Sequence, residues 1–314
     1  MSYTGPDFEP PRPRRSARRR TLTVVLAALV PGALLGWGVY AAAGGSGDGA
    51  GRTAPGPSVS APAATGDDAK EPAAGASPPA AASASAPAVP GPLTGKVVVV
   101  DPGHNPGNAR YPDEIGRTVD VGTHHKECDT TGTSTDAGYS EAAFTLDVAH
   151  RLRDLLVRQG ATVRLTQDGD RPYGPCVDER ARIGNEARTD AAVSIHADGS
   201  AAGNRGFHVI LPGAVHAGAA DTRAIAGPSR DLGERIAGRF VRVTGSAPAG
   251  YVGGGTGLVT RTDLGGLNLS KVPKVFIECG NMRDGQDAAL LTSGAWRQKA
   301  AQGISEGIVS FLRG

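Results

Sequence analysis

Apolar residues along this chain follow two rhythms, and the switch between them sets out the elements. Unbroken runs within Lys96–Asp101, Ala191–His196 and Lys274–Glu278 predict strands buried on both faces, the last beginning just after Pro273. Thr162–Thr166 and Gly206–Leu211 read as further strands. After Ser140, a plausible N-cap, Phe144, Val148, Leu152, Leu155 and Leu156 fall on one face of a helix, with Gly160 past its end. Asp178–Arg188 and residues 294–313 also read as helices, and residues 222–242 as a helix interrupted by glycines. Residues 105–139, rich in Gly, Thr, Asp and Asn, predict a long loop or a small insertion. Strands that alternate with helices predict an α/β fold around a largely parallel sheet, covered on both faces.

Neither rhythm is present before residue 93. Residues 1–21 form a basic segment with arginines at 12, 14, 15, 18, 19 and 20. Leu22–Ala43 then runs 22 residues without a charge, long enough to cross ~30 Å of hydrocarbon. Arginines before this span and none soon after it place the N-terminus in the cytoplasm. The alternative is a cleaved signal peptide, for which Ala41-Ala42-Ala43 would suit the protease, although a signal's apolar core is usually only about 7–15 residues. Either way the rest of the chain is exported, to the outer side of the cell membrane or into the medium. Residues 44–92 are mostly Ala, Gly, Pro and Ser; they cannot bury a core and predict a disordered linker. The folded domain is expected at 93–314.

Charge narrows the partners. The chain has 33 Lys and Arg against 31 Asp and Glu; residues 1–92 hold eight and six of these, leaving 25 of each in the domain. Nothing in that balance suggests a nucleic-acid partner. Of the three cysteines, Cys128 and Cys176 lie in polar, loop-like sequence and Cys279 follows an apolar run. Outside the membrane, loop cysteines tend to pair, so a Cys128–Cys176 disulfide with Cys279 as a buried thiol is expected; the alternative is three free thiols.

Candidate chemistry gathers at the ends of the elements. The first Val run leads into Asp101-Pro102-Gly103-His104, and the Pro-Gly turn exposes the imidazole. His196 and Glu278 end two other strands, and Glu141 opens the helix after Ser140. In parallel sheets ligands gather beyond the carboxyl ends of the strands, so these four residues are expected on one rim. Each has a plain structural reading alone: Glu141, for instance, suits a helix N-terminus. A carboxylate such as Glu278 at the end of an apolar strand is harder to explain, because leaving it unpaired is costly. Together, two histidines and two glutamates are what a hydrolytic zinc site needs: three ligands, an open position for water, and a carboxylate to move protons. His150 is expected on a helix surface, and His124 and His125 in a solvent-exposed loop.

These segments resemble those of the zinc-dependent N-acetylmuramoyl-L-alanine amidases, the amidase 3 family, over about residues 96–312. Asp101–His104 resembles the family's first ligand motif, Tyr139-Ser140-Glu141 the start of its ligand helix, Ser194–Asp198 its second histidine motif, and Pro273–Glu278 the strand with its catalytic glutamate. The resemblance implies a three-layer α/β/α sandwich, with His104, Glu141 and His196 holding one Zn2+ and Glu278 as general base. It implies hydrolysis of the amide between N-acetylmuramic acid and L-alanine in peptidoglycan, by a domain expected to be monomeric. The insertion carrying Cys128 resembles that of the single-domain type from high-GC Gram-positive bacteria. No wall-binding repeat is visible, so affinity for the wall must come from the domain itself. Two rival readings are another zinc hydrolase of wall peptides, a carboxypeptidase or deacetylase, and a non-catalytic wall-binding regulator on the same fold.

Overall fold

The computed structural model describes residues 91–314. The expected basic segment, the apolar span Leu22–Ala43 and nearly all of the linker lie outside the described residues. Among the described residues, no helix is long and apolar enough to cross a membrane.

A six-stranded sheet organises the domain, in the order β4-β1-β5-β10-β6-β9. Its strands are β1 (Val97–Pro102), β4 (Thr162–Leu165), β5 (Ala191–Asp198), β6 (His208–Pro212), β9 (Leu258–Arg261) and β10 (Lys274–Asn281). The first four strands of that order run parallel. β6 then pairs antiparallel to β10, and β9 follows β6 in parallel. The sheet is therefore mostly parallel, with one reversal that turns its last two strands around. The helices are α1 (Pro112–Gly116), α2 (Glu141–Arg158), α3 (Val177–Glu186), α4 (Ala226–Thr244), α5 (Gly265–Asn268), α6 (Gly285–Leu291) and α7 (Gly294–Leu312).

Side-chain alternation sorts the two faces of the sheet. Val98, Val100, Val193, Ile195, Val275 and Ile277 point into one large apolar core with α2, α4 and α7. The α2 positions in that core are the expected Phe144, Val148, Leu152 and Leu156, with Leu155 packed at its edge. Ser140 caps the helix, its hydroxyl accepting from the Ala143 N–H at 3.3 Å. The glycines that seemed to interrupt the 222–242 stretch do not break α4. Close packing explains its partner α7: a Cβ on Gly307 would lie 2.5 Å from the Ile236 Cα. Glycine there lets two helix backbones meet.

The opposite parity carries polar groups. Asp101 and Ser194 are register partners, and Lys274 and Phe276 share their face. His196 and Glu278, also register partners, continue that row. α3 lies over it through Arg180, which is buried with Asp101.

Two boundaries differ from expectation. β5 runs on to Asp198 and β10 to Asn281, so His196 and Glu278 sit within strands and not at their tips. Pairing of Asn281 with Asp198, after a register shift beyond Glu278, carries the ladder past both residues. Residues 105–139 are more ordered than a loop. They hold α1 and a hairpin of β2 (Thr118–Asp120) and β3 (His125–Glu127), with Val119 and Val121 packed against Cys128 and Cys176. A second small hairpin joins β7 (His216–Ala217) to β8 (Ala220–Asp221). The described chain begins at Gly91 beside the end of α2, where the Leu93 N–H donates to the Gln159 carbonyl at 2.9 Å.

Candidate metal centre

Three different kinds of local structure deliver the candidate ligands. His196 rides on β5, its ring stacked flat on Phe276 with centroids 5.2 Å apart. Glu141 is the first residue of α2, fixed by Ser140 behind it. His104 lies past the end of β1 in a left-handed conformation, φ 62°. One donor atom from each of the three lies within 4.8 Å of the others. The Glu141 Oε1 is 3.1 Å from His104 Nε2 and 2.9 Å from His196 Nδ1. It also accepts from the Ala197 N–H at 3.2 Å, and Oε2 accepts from the Thr133 N–H at 3.0 Å. Gly132 supplies the clearance: at φ 74°, a Cβ there would stand 2.8 Å from both Glu141 Oε2 and His104 Cδ2.

The electrostatics suit a cation. Burial opposes charge on His104, but the carboxylates of Glu141 and Asp129 outweigh it and push the imidazole up to about 10. Burial would raise Glu141, yet the His104 and His196 rings hold it well below the usual carboxylate range. Each of these shifts has the sign expected where a cationic group and a carboxylate face one another at close range. Two neutral imidazoles and one carboxylate match the donor set of a catalytic zinc site.

Glu278 stands beside His196 on β10. Its Oε2 is buried without a hydrogen-bond partner. Burial above all, then the Glu141 and Asp198 charges, pushes this carboxyl well above its usual value. A carboxylate facing ligand atoms without a bond of its own is free to take a proton from a reacting group.

Beyond the cluster opens a cleft of about 260 Å³, with Lys126, Glu127, Arg261, Leu264 and Phe276 on its walls. The Tyr251 hydroxyl donates at 2.7 Å to Oδ2 of Asp198, which lines the cleft, and the Tyr251 ring meets the His208 ring edge-on. His208, the cross-strand partner of Glu278, has a buried Nδ1 with no partner. Cys128 and Cys176 are joined by a 2.08 Å S–S bond, and Cys279 is a free, buried thiol. His124 and His125 are exposed, and His150 is half-exposed and bonded to Asp168.

Several groups around the site were not legible in the sequence. Arg180 and Asp129 read as ordinary helix and loop charges, and Tyr251 and Arg261 lie in a glycine-rich stretch without periodicity. The one available signal was Asp101, a carboxylate directly after a Val run and fully buried in the fold. Such a charge requires a cationic partner from elsewhere in the chain.

Comparison with known proteins points one way. Residues 98–310 match the model of a family described as N-acetylmuramoyl-L-alanine amidase. An N-acetylmuramoyl-L-alanine amidase of Mycobacterium tuberculosis, Rv3717, is 42% identical over 230 residues, which cover 73% of this chain and 91% of the relative. The crystal structure of the N-acetylmuramyl-L-alanine amidase Ami1 from Mycobacterium smegmatis superposes with a TM-score of 0.64 at 41% identity, covering 70% of this chain and 98% of that one. Apo Ami1 from Mycobacterium abscessus gives the same TM-score and identity, covering 70% of this chain and 100% of that one.

Proposed function

The chain belongs to the N-acetylmuramoyl-L-alanine amidase family, and from that premise we propose how its site works. The protein is a hydrolase that cleaves the amide between N-acetylmuramic acid and L-alanine in peptidoglycan. The observation that carries the mechanism is the convergence of His104, Glu141 and His196 next to the unpartnered carboxyl of Glu278.

His104 Nε2, Glu141 Oε1 and His196 Nδ1 would hold one zinc ion. When bound, zinc lowers the pKa of water towards 7 and polarises the scissile carbonyl. The chain's own residues do the rest. Glu278 takes the proton of the attacking water and hands it to the leaving nitrogen of L-alanine, which would otherwise be a poor leaving group. One carboxyl can serve both halves of that task, since a base must also become an acid within one turnover. The Phe276 ring against His196 keeps one side of the ligand dry. The cleft beyond, with Lys126 and Arg261 on its walls, receives the peptide stem.

The test is digestion of purified peptidoglycan with metal analysis of the same sample. Release of intact stems with a new free amino group on L-alanine, abolished by chelation and restored by zinc, is expected. Release of a C-terminal amino acid or of acetate instead would move the protein to the rival hydrolases. Binding without any product would make it a wall-binding regulator.

Placement belongs to the same proposal. Leu22–Ala43 anchors the chain in the cell membrane, residues 44–92 form the tether, and the domain works outside as a monomer. The Cys128–Cys176 bond supports an oxidising compartment. The full-length protein should fractionate with membranes, with its domain open to external protease. A mature form in the medium beginning near Gly44 would identify a cleaved signal peptide.

A further inference from the structure

His104 and Arg188 are the two non-glycine residues with positive φ among the described residues. L-residues other than glycine seldom adopt this left-handed conformation, so that of His104 must be imposed by its surroundings. Those surroundings converge on one side chain. Arg180 reaches up from α3 and donates from Nη1 to the Pro102 carbonyl at 2.6 Å and from Nη2 to the His104 carbonyl at 3.0 Å. The peptide planes before Gly103 and after His104 are thereby set by a single rigid fork, while the Gly103 carbonyl between them accepts from the Thr145 hydroxyl at 2.7 Å. Gln167 Nε2 gives the His104 carbonyl a second donor at 3.1 Å.

The same guanidinium also governs the ring. Its Nη2 donates to Asp129 Oδ2 at 2.9 Å. Asp129 Oδ1 accepts from the Thr130 N–H at 2.8 Å. The Thr130 carbonyl, in turn, lies 3.0 Å from His104 Nδ1. A carbonyl can only accept, so this contact calls for Nδ1–H as its donor and leaves Nε2 facing Glu141 and His196, the orientation a metal ligand needs. Arg180 completes its bonding with Asp101 at 2.7 Å and, through Nε, with the Pro175 carbonyl at 2.9 Å.

The disulfide closes this arrangement. Cys176 caps α3 one turn before Arg180, and Cys128 precedes Asp129. Covalent bond and ion pair thus join the same two segments on either side of the turn. Arg180, Asp101 and Asp129 are each at least 94% buried. Burying such charges seldom stabilises a fold better than apolar packing would, so stability alone does not account for the set.

We infer that Arg180 is a positioning residue of the metal centre, holding backbone and ring of the first histidine ligand in register with the other two. Lysine could not replace it, because a single ammonium cannot present the planar fork that spans two carbonyls and two carboxylates. The inference rests on the reading that His104, Glu141 and His196 hold zinc.

The experiment uses the full chain and reads zinc affinity by competition with a chromophoric chelator, with the visible spectrum of the cobalt(II)-substituted protein as a second readout. Arg180→Lys should weaken zinc about 10- to 100-fold and change the cobalt bands. Gln167→Met removes the second donor to His104, and with it the acceptor of the Gly169 N–H, but leaves no charge unpaired, so it should shift both readouts the same way by less. Ile304→Ala, a core truncation remote from the turn, should lower thermal stability and leave both readouts unchanged. If Arg180→Lys does not fold, Gln167→Met decides. Wild-type affinity and spectrum in the folded variants would overturn the inference, as would equal weakening by Ile304→Ala. A wild-type chain that binds no zinc would sink the metal reading itself, a result visible before any variant is made.

Discussion

The two histidines of the centre come from opposite kinds of structure. His196 is one residue in a regular strand, and the ladder to β10 fixes it beside Glu278. His104 lies outside any strand, in a backbone conformation its own chemistry disfavours, and is held by contacts from residues 129, 130, 167 and 180. One position is inherited from the sheet; the other has to be assembled from distant parts of the chain. The difference teaches where the site is vulnerable. Changes to the sheet should strike the fold and the centre together, whereas changes around residues 128–130 should loosen the centre first.

The largest effect erases the contrast. His104→Ala and His196→Ala should each abolish stable zinc binding, because two protein ligands hold the ion poorly. Near-stoichiometric zinc by elemental analysis in either variant would contradict the ligand set. Next, Glu278→Gln on the strand side should keep zinc and fold and lose about 10²–10⁴ in turnover. A near wild-type rate would move the base elsewhere, with Asp198 the next carboxylate to test.

The disulfide probes the assembled side. Opening the Cys128–Cys176 bond releases a sequence separation of 48 residues, which should cost about 2–4 kcal/mol in stability. Zinc should be released more readily by chelator in the reduced protein even where circular dichroism reports full folding. Equal chelator resistance in both forms would detach the bond from the centre.

The smallest effect lies on the strand side. Burial, with the Arg261 charge and against that of Asp198, lowers the His208 pKa below its ordinary 6.5. The unfolded chain therefore binds this proton more readily than the native one. The stability at stake is fully present above pH ~6.5 and is lost as pH falls through the native value. His208→Asn should flatten the fall of the urea midpoint below pH 6.5; an unchanged slope would assign it to other groups.

Legibility followed the same division. The buried strands, the Ser140 cap and the α2 face were readable because each is local: a Val run, one hydroxyl, a repeat near four. Convergence of His104, Glu141, His196 and Glu278 was readable because parallel strands present their carboxyl ends together. What could not be read is non-local or short. The reversal of β6 and β9 depends on which edge of β10 receives β6, through partners such as Phe276 and Ile210, and no local pattern shows that. β9, α5 and α6 are brief and set among glycines, too short to show a period. Arg180 looks like any helix arginine until Asp101 and Asp129 are brought to it.

The start of the domain carries a mechanical consequence. The described chain begins at the far end of the sheet from the cleft, and β1 alone leads from there to Pro102 and His104. Tension between whatever precedes Gly91 and a strand of wall gripped in the cleft would run along β1. That strand is loaded parallel to its axis, held by β4 on one side and β5 on the other. Pulled this way its ladder bonds share the force and must slip together, whereas bonds peeled from one end give way singly. A pull at Gly91 thus reaches the first candidate ligand along a strand that is paired on both edges.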